Sequence, residues 1–477
     1  MAVKPKENRR ILILLSGLTC LSLVIILYLT YFMFFKAETI KNHSANRRSW
    51  IEEAKILRGT IYDRDKEVIA YSKGEEGDYR RFYNYPRIYS HIIGYANPSL
   101  GKGGLELSYN DQLLNKNTAM TFDGFKNLFD QKKLGNNLRL TIDTNLQNYT
   151  HEVLEETGKK CAAVVMNPKT GEIYSMVSLP DFDASTIVED WKDIANSQDG
   201  PLVNRVTQGM YPPGSTFKVV TSVGLLENPS IDQSYEDTGV QEIAGREFKN
   251  ANPDIQYGPV KLKQALTHSL NTYFVTKGVE LGEAKLGDVA DRFMFNKNVD
   301  FDLPLKKSVF DHSKSMDRVQ VAASSIGQGQ VLATPLQMAM VASTIANDGK
   351  LMKPYLVAEV ESPSGSMVEK TEPKVLSEVT NEEVAQTLQD YMVNVVRNGS
   401  ASRAYARRLN VAGKTGTAEN ASGKDHAWFI GFAPAKDAKF AVAVIVEQTK
   451  GYGGTVAAPI ARDLLVYANK HITVDED

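Results

Sequence analysis

Residues 211–218 read Tyr-Pro-Pro-Gly-Ser-Thr-Phe-Lys. Pro212, Pro213 and Gly214 stop whatever precedes them, and the pattern from Phe217 to Leu226 is helical. Ser215 and Lys218 stand three apart, so on a helix they share a face one turn apart. Ser215 falls in the first turn, where free backbone N–H groups and the positive dipole end favour a developing anion. A serine hydroxyl is a weak nucleophile until a base takes its proton. A lysine held in a partly desolvated site has its pKa lowered and can serve as that base. Taken alone, such a pair is more often an N-capping serine and a solvated lysine. The same spacing recurs at Ser99 and Lys102, in a glycine-rich loop without chemical context.

Two further clusters follow. Ser269-Leu270-Asn271 puts a hydroxyl and an amide two residues apart, one able to pass a proton and the other to hold a substrate amide. Copies of that spacing at Ser44/Asn46 and Ser108/Asn110 make it weak by itself. Lys414-Thr415-Gly416-Thr417 comes at the end of a predicted strand, Leu409 to Lys414. Lys414 supplies positive charge and Thr417 a hydroxyl, which suits a substrate carboxylate, and Gly416 lets a substrate backbone approach closely. The similar Lys169-Thr170-Gly171 precedes Ser215 and lacks the second threonine. It sits in a predicted hairpin turn, where glycine is expected for turn geometry alone.

The flanking sequence predicts an α+β layer arrangement. Ala162 to Met166 and Glu172 to Ser178 are two strands joined by Asn-Pro-Lys-Thr-Gly, a hairpin. Trp428 to Ala433 and Phe440 to Glu447 are further strand candidates, and Ala457 to Asn469 is an amphipathic helix. Between hairpin and late strands the pattern is mainly helical, as in Pro335 to Ile345. One antiparallel sheet assembled from both ends of the domain, with helices on both sides, accounts for this. Ahead of it, residues 56–115 read as short strands and turns, Leu138 to Ile142 as a strand, and Asp143 as the start of a helix.

Residues Ile11 to Phe35 carry no charge over 25 positions. That exceeds the roughly 20 residues a helix needs to cross a bilayer. Lys4, Lys6, Arg9 and Arg10 precede it, which holds the N-terminus in the cytoplasm and sends the remainder across. The apolar run is too long for a cleaved signal peptide and no small-residue cleavage site follows. Residues 36–55, with Lys36, Lys41, Arg47 and Arg48, read as a juxtamembrane linker or the start of a helix. Lys and Arg total 55 against 57 Asp and Glu, and this even balance argues against a nucleic-acid binder. Cys20 and Cys161 are too few for a disulfide framework, and no Cys/His cluster points to zinc.

The order S-x-x-K, S-x-N, K-T-G-T is the constellation of penicillin-binding proteins and β-lactamases, and the chain resembles a class B penicillin-binding protein. The likeness extends to Asn204-Arg205 before the serine, to Gly327-Gln328-Gly329 with Thr334-Pro335-Leu336-Gln337-Met338-Ala339, and to Trp428-Phe429-Ile430-Gly431-Phe432-Ala433-Pro434. Arg58-Gly59-Thr60-Ile61-Tyr62-Asp63-Arg64 and Gly104-Leu105-Glu106 resemble the family's non-catalytic pedestal. Lys66 stands where that pattern usually has glycine, so a different turn is expected there.

The resemblance implies a cytoplasmic segment 1–10, a transmembrane helix 11–35, a pedestal 36–155 and a transpeptidase domain 156–477. It implies acyl transfer on peptidoglycan stem peptides, with Ser215 attacking between two terminal D-alanines and Lys218 accepting its proton. Ser269 and Lys414 would relay a proton to the leaving D-alanine. The backbone N–H groups of Ser215 and Thr417 would form the oxyanion hole. Asn271 would hold the donor amide, and Thr415, Gly416 and Thr417 would line the carboxylate site. β-Lactams would be trapped on Ser215. No metal or organic cofactor is implied, and the partner would be a membrane polymerase of the SEDS family. A D,D-carboxypeptidase or β-lactamase-like hydrolase on the same fold, and a catalytically idle cell-wall scaffold, remain open alternatives.

Overall fold

The computed structural model describes residues 5–35, 47–116, 133–312, 315–418 and 423–474. Of the stretch 36–55, residues 36–46 lie outside them, as do the charge at Lys4 and the side chains of Arg47 and Arg48, while Arg47–Glu53 is a short helix. The first element is a helix, Pro5–Phe35. Its segment Arg9–Met33 has a mean hydropathy of 2.6 and none of it is buried in the protein. A rise of about 1.5 Å per residue makes this segment longer than the roughly 30 Å hydrocarbon layer. Thr19, Ser22 and Thr30 turn their hydroxyls back onto the carbonyls of Leu15, Leu18 and Ile26. The helix thereby conceals these three hydroxyls, as a lipid-facing surface requires.

Short strands follow, as their turn-rich composition predicts, and form a six-stranded sheet. Its order is Met367–Lys370, Val357–Glu361, Asn137–Leu140, Ile61–Tyr62, Val68–Lys73 and Arg80–Tyr83. Two of these strands thus come from a hairpin about 200 residues further along the chain. The two quoted pedestal motifs meet beneath this sheet. Glu106 is fully buried and accepts from Arg58 Nε at 2.5 Å and Arg81 Nε at 2.6 Å. Gly59 is obligatory there, because a Cβ would fall 1.7 Å from the carbonyl oxygen of Asn136. Lys66 takes a φ of +66°, while Asp63 Oδ1 accepts the N–H groups of Asp65 and Glu67. The turn expected to differ therefore keeps the backbone a glycine would adopt, and the lysine bears a strain of about 1–2 kcal/mol.

The helix after Asp143 spans Thr144–Glu155, with the Asp143 carboxylate capping the N–H of Leu146 at 2.8 Å. It packs against the strand Ile173–Leu179 and against the last helix, Ala457–His471. The second sheet is antiparallel throughout, in the order Ile173–Leu179, Cys161–Met166, Phe440–Thr449, Asp425–Ala433 and Ala412–Ala418. Every residue of the first two strands is buried, so both faces are covered. The wholly buried helix Pro335–Ala346 packs on the sheet's central strands. The predicted hairpin, late strands and terminal helix are present. The last strand in the order begins at Ala412 rather than Leu409, because pairing starts where Ala412 meets Phe432. Lys-Thr-Gly-Thr therefore lies within this strand, at the open edge of the sheet.

Candidate active site

Gly214–Phe217 forms a 3₁₀ turn and Lys218 opens the α-helix Lys218–Leu226. With three residues per 3₁₀ turn, side chains three apart eclipse, so Ser215 and Lys218 point the same way. Three tethers hold the turn. The OH of Tyr211 donates to Glu447 Oε1 at 2.7 Å, and the same oxygen accepts Arg205 Nε at 2.8 Å. Trp428 Nε1 donates to Pro212 O at 3.1 Å. The N–H of Gly214 donates to Gly327 O at 2.9 Å. Gly327 has a φ of +71°, and a Cβ on it would lie 2.3 Å from Gly214 O. The residues after Gly214 are thus pressed against the sheet edge. A Cβ on Gly416 would stand 2.9 Å from both Pro213 O and Thr216 Cγ2. The smallness of Gly416 therefore serves the packing of the serine's own turn. A Cβ on Gly214 would come within 2.7 Å of Thr417 O, which sets the Ser215 turn against the backbone of Thr417.

Lys218 and Lys414 are both fully buried and converge on Ser269. Lys218 Nζ donates to Ser269 O at 2.8 Å and Asn271 Oδ1 at 2.7 Å, and reaches Ser269 Oγ at 3.4 Å. Lys414 Nζ donates to Ser269 Oγ at 2.9 Å and Thr415 O at 2.8 Å. Burial, and then the neighbouring charge of Lys414, holds the Lys218 ammonium well below the usual lysine range. Burial pushes Lys414 down to about 7. A neutral Lys218 still supplies two N–H donors for its two close oxygens and keeps a lone pair for a proton.

Ser269 ends the helix Leu262–His268 with φ +59° and ψ +41°, a left-handed cap. Glycine is usual at such a position. The turn closes through Leu270 N to Ala265 O at 2.9 Å. It carries both oxygens of Ser269 between the two lysines. Asn271 opens the next helix, Asn271–Leu281, and its Nδ2 donates to Lys249 O at 2.7 Å.

Strand alternation separates the remaining motif. Lys414 and Gly416 face the serine's turn. Thr415 Oγ1 instead meets Ser400 Oγ at 2.9 Å, and Thr417 Oγ1 accepts the N–H of Gly453 at 3.3 Å. The decoy Lys169 pairs with Asp437 in the hairpin turn, and the decoy Lys102 pairs with Glu53 at 2.8 Å. Both stay clear of the cleft residues.

Glu447 was not singled out from the sequence, nor was the pairing of Trp428 with Pro212. Their partners lie more than 200 residues away. No local spacing could have flagged them.

Residues 161–466 match the family described as the penicillin binding protein transpeptidase domain, and residues 58–138 match the penicillin binding protein A dimerisation domain. Peptidoglycan D,D-transpeptidase PbpA of Mycolicibacterium smegmatis is 32% identical over 464 residues, covering 91% of this chain and 93% of that protein. Among solved structures, the D,D-transpeptidase domain of a peptidoglycan glycosyltransferase from Eggerthella lenta is 34% identical with a TM-score of 0.79, covering 87% of this chain and 99% of the other. Penicillin-binding protein A from M. tuberculosis, solved as a ceftriaxone acyl-enzyme complex, is 28% identical with a TM-score of 0.82 over 88% and 99%.

Proposed function

This chain belongs to the class B penicillin-binding proteins, and on that premise we propose that it is a membrane-anchored peptidoglycan D,D-transpeptidase acylated at Ser215. The observation that carries the assignment is the convergence of two fully buried lysines on Ser269, one of them a single turn from Ser215. A buried amine that loses its proton readily is what an unactivated serine lacks.

In the reaction, Ser215 Oγ attacks the carbonyl between the two terminal D-alanines and its proton passes to Lys218 Nζ. The N–H groups of Ser215 and Thr417 face the oxyanion, each worth roughly a hundred- to a thousandfold in turnover. Ser269 Oγ, held by Lys414 Nζ, gives its proton to the departing D-alanine amine as the C–N bond breaks and takes in exchange the proton that Lys218 Nζ had accepted. The amine of a second stem peptide then takes the acyl group and regenerates Ser215. Asn271 holds the donor amide through the lone pair and N–H that Lys218 and Lys249 leave free. Thr415, Gly416 and Thr417, on the sheet's edge strand, bound the carboxylate site.

The anchor runs through residues 11–35, with 1–10 in the cytoplasm as the basic residues before it dictate. Residues 36–155 act as the pedestal and 156–477 as the transpeptidase domain outside the membrane. A SEDS-family polymerase docks on the anchor and pedestal.

Intact-mass analysis after penicillin treatment, with peptide mapping, tests the assignment. A single adduct on Ser215 is expected, absent from Ser215→Ala. Lys218→Ala should melt as a folded protein yet stay unlabelled. An adduct elsewhere, or normal labelling of Lys218→Ala, would refute the roles given. Rapid release of the adduct would instead identify a hydrolase.

A further inference from the structure

A buried carboxylate stands behind Asn271 that the reaction does not touch. Asp237 ends the strand Tyr235–Asp237, is 1% exposed, and has no ion-pair partner among the described residues. Burying a carboxylate without a cation costs several kcal/mol unless hydrogen bonds replace its water. Here they do. Its Oδ1 accepts Thr272 Oγ1 at 2.6 Å and Asn250 Nδ2 at 2.9 Å, and its Oδ2 accepts the N–H of Tyr257 at 3.1 Å. Asn250 Oδ1 in turn accepts the N–H of Thr272 at 3.2 Å.

Two of the three residues held by Asp237 adjoin the groups that orient Asn271. Thr272 follows it in the chain. Asn250 follows Lys249, whose carbonyl takes Asn271 Nδ2 at 2.7 Å. With its donor end committed to Lys249, the Asn271 amide must turn Oδ1 toward Lys218 Nζ, 2.7 Å away. An amide rotated by half a turn would oppose N–H to N–H. An ionised carboxylate only accepts, so it matches three donors at once, which an asparagine cannot do without turning a donor against one of them.

We propose that Asp237 is a positioning residue for acylation: through Thr272, Asn250 and the Lys249 carbonyl it fixes the orientation of Asn271, and so the placement of Lys218 Nζ. The role rests on the reading of Ser215 and Lys218 given above. The groups facing Lys218 are Lys414 from the edge strand, Ser269 and Asn271, and the ring of Phe274 at 5.3 Å. Asp237 acts also on Tyr235 of its own strand. Loss of the carboxylate frees Thr272 and Asn250 and lets Asn271 Oδ1 drift from Lys218. That withdraws an acceptor from the ammonium, so the acid limb of the acylation rate moves to lower pH while its plateau falls.

The test compares wild type, Asp237→Asn and the isosteric Thr272→Val as full chains in detergent, with penicillin as the probe. Acylation rate constant, non-covalent affinity and melting are measured from about pH 5 to 9. The plateau rate constant of Asp237→Asn should fall about tenfold or more, with penicillin affinity unchanged within about twofold. The acid-limb midpoint should drop by at least about half a unit, and Thr272→Val should shift both readouts the same way by less. A merely structural role would lower melting and active fraction without moving that midpoint. Folded Asp237→Asn with wild-type rate and midpoint would overturn the proposal, and should it not fold, Thr272→Val decides by the same criteria. Failure of wild type to label at Ser215 would sink the active-site reading itself, whereas labelled wild type and indistinguishable variants would sink only the role of Asp237.

Discussion

Replacing Ser269 by glycine and by alanine separates backbone strain from chemistry at one position. Both variants lose the hydroxyl that accepts from Lys414 Nζ at 2.9 Å, so that loss cancels between them. They differ by one Cβ on a residue held at φ +59°. A left-handed conformation costs an L-residue roughly 1–2 kcal/mol. Glycine gives back about 0.5–1 kcal/mol of that through its larger entropy loss on folding. Ser269→Gly should therefore be more stable than Ser269→Ala by about 1 kcal/mol, a rise of some 1–3 °C in melting temperature for a chain of this size. Both should be equally unable to complete transfer, since neither can pass a proton to the leaving amine. The assay is parallel thermal melting and stem-peptide turnover of the two proteins. Equal melting, or a more stable alanine variant, would show that the cap is unstrained. Turnover preserved in either variant would remove Ser269 from the proton path.

Two further outcomes follow from the same geometry. The pKa of Lys414 is pushed down to about 7 in the folded protein, against about 10.4 unfolded. Between those values the unfolded chain binds more protons, so stability should rise with pH across that window, and below it the full cost of a buried ammonium remains. Lys414→Met should flatten this rise in denaturant melts, and parallel slopes would contradict the burial argument. Gly416→Ala puts a methyl 2.9 Å from Pro213 O and Thr216 Cγ2. Overpacking of that kind costs about 1–3 kcal/mol. Penicillin labelling of Ser215 should slow at least about tenfold, and wild-type labelling would show that the serine's turn does not depend on that close contact.

Much of the fold was legible because its signals are local. The hairpin around Asn167–Gly171, the late strands and the helix from Ala457 each announce themselves by apolar run length or turn residues. The start of the edge strand was misplaced by three residues, since pairing with Phe432 rather than composition decides where it begins. Two strands of the six-stranded sheet, Val357–Glu361 and Met367–Lys370, could not be assigned to it from sequence, because Val357–Glu361 pairs with Asn137–Leu140 some 220 residues away and Met367–Lys370 joins only through Val357–Glu361. Lys66 broke a family pattern in composition yet kept the backbone the pattern requires.

By itself the sequence determined the apolar helix and the residues proposed for the site, Ser215, Lys218, Ser269, Asn271 and Lys414 in their order. Hydropathy and residue type need no partner to be read. Tertiary structure alone decided that both lysines lose their water, that Ser269 lies between them, and that Gly416 yields its space to Pro213. It alone brought Glu447 to Tyr211 and Asp237 to Thr272. Desolvation and hydrogen-bond direction belong to pairs of groups in space, and these pairs join residues up to 236 positions apart in the chain.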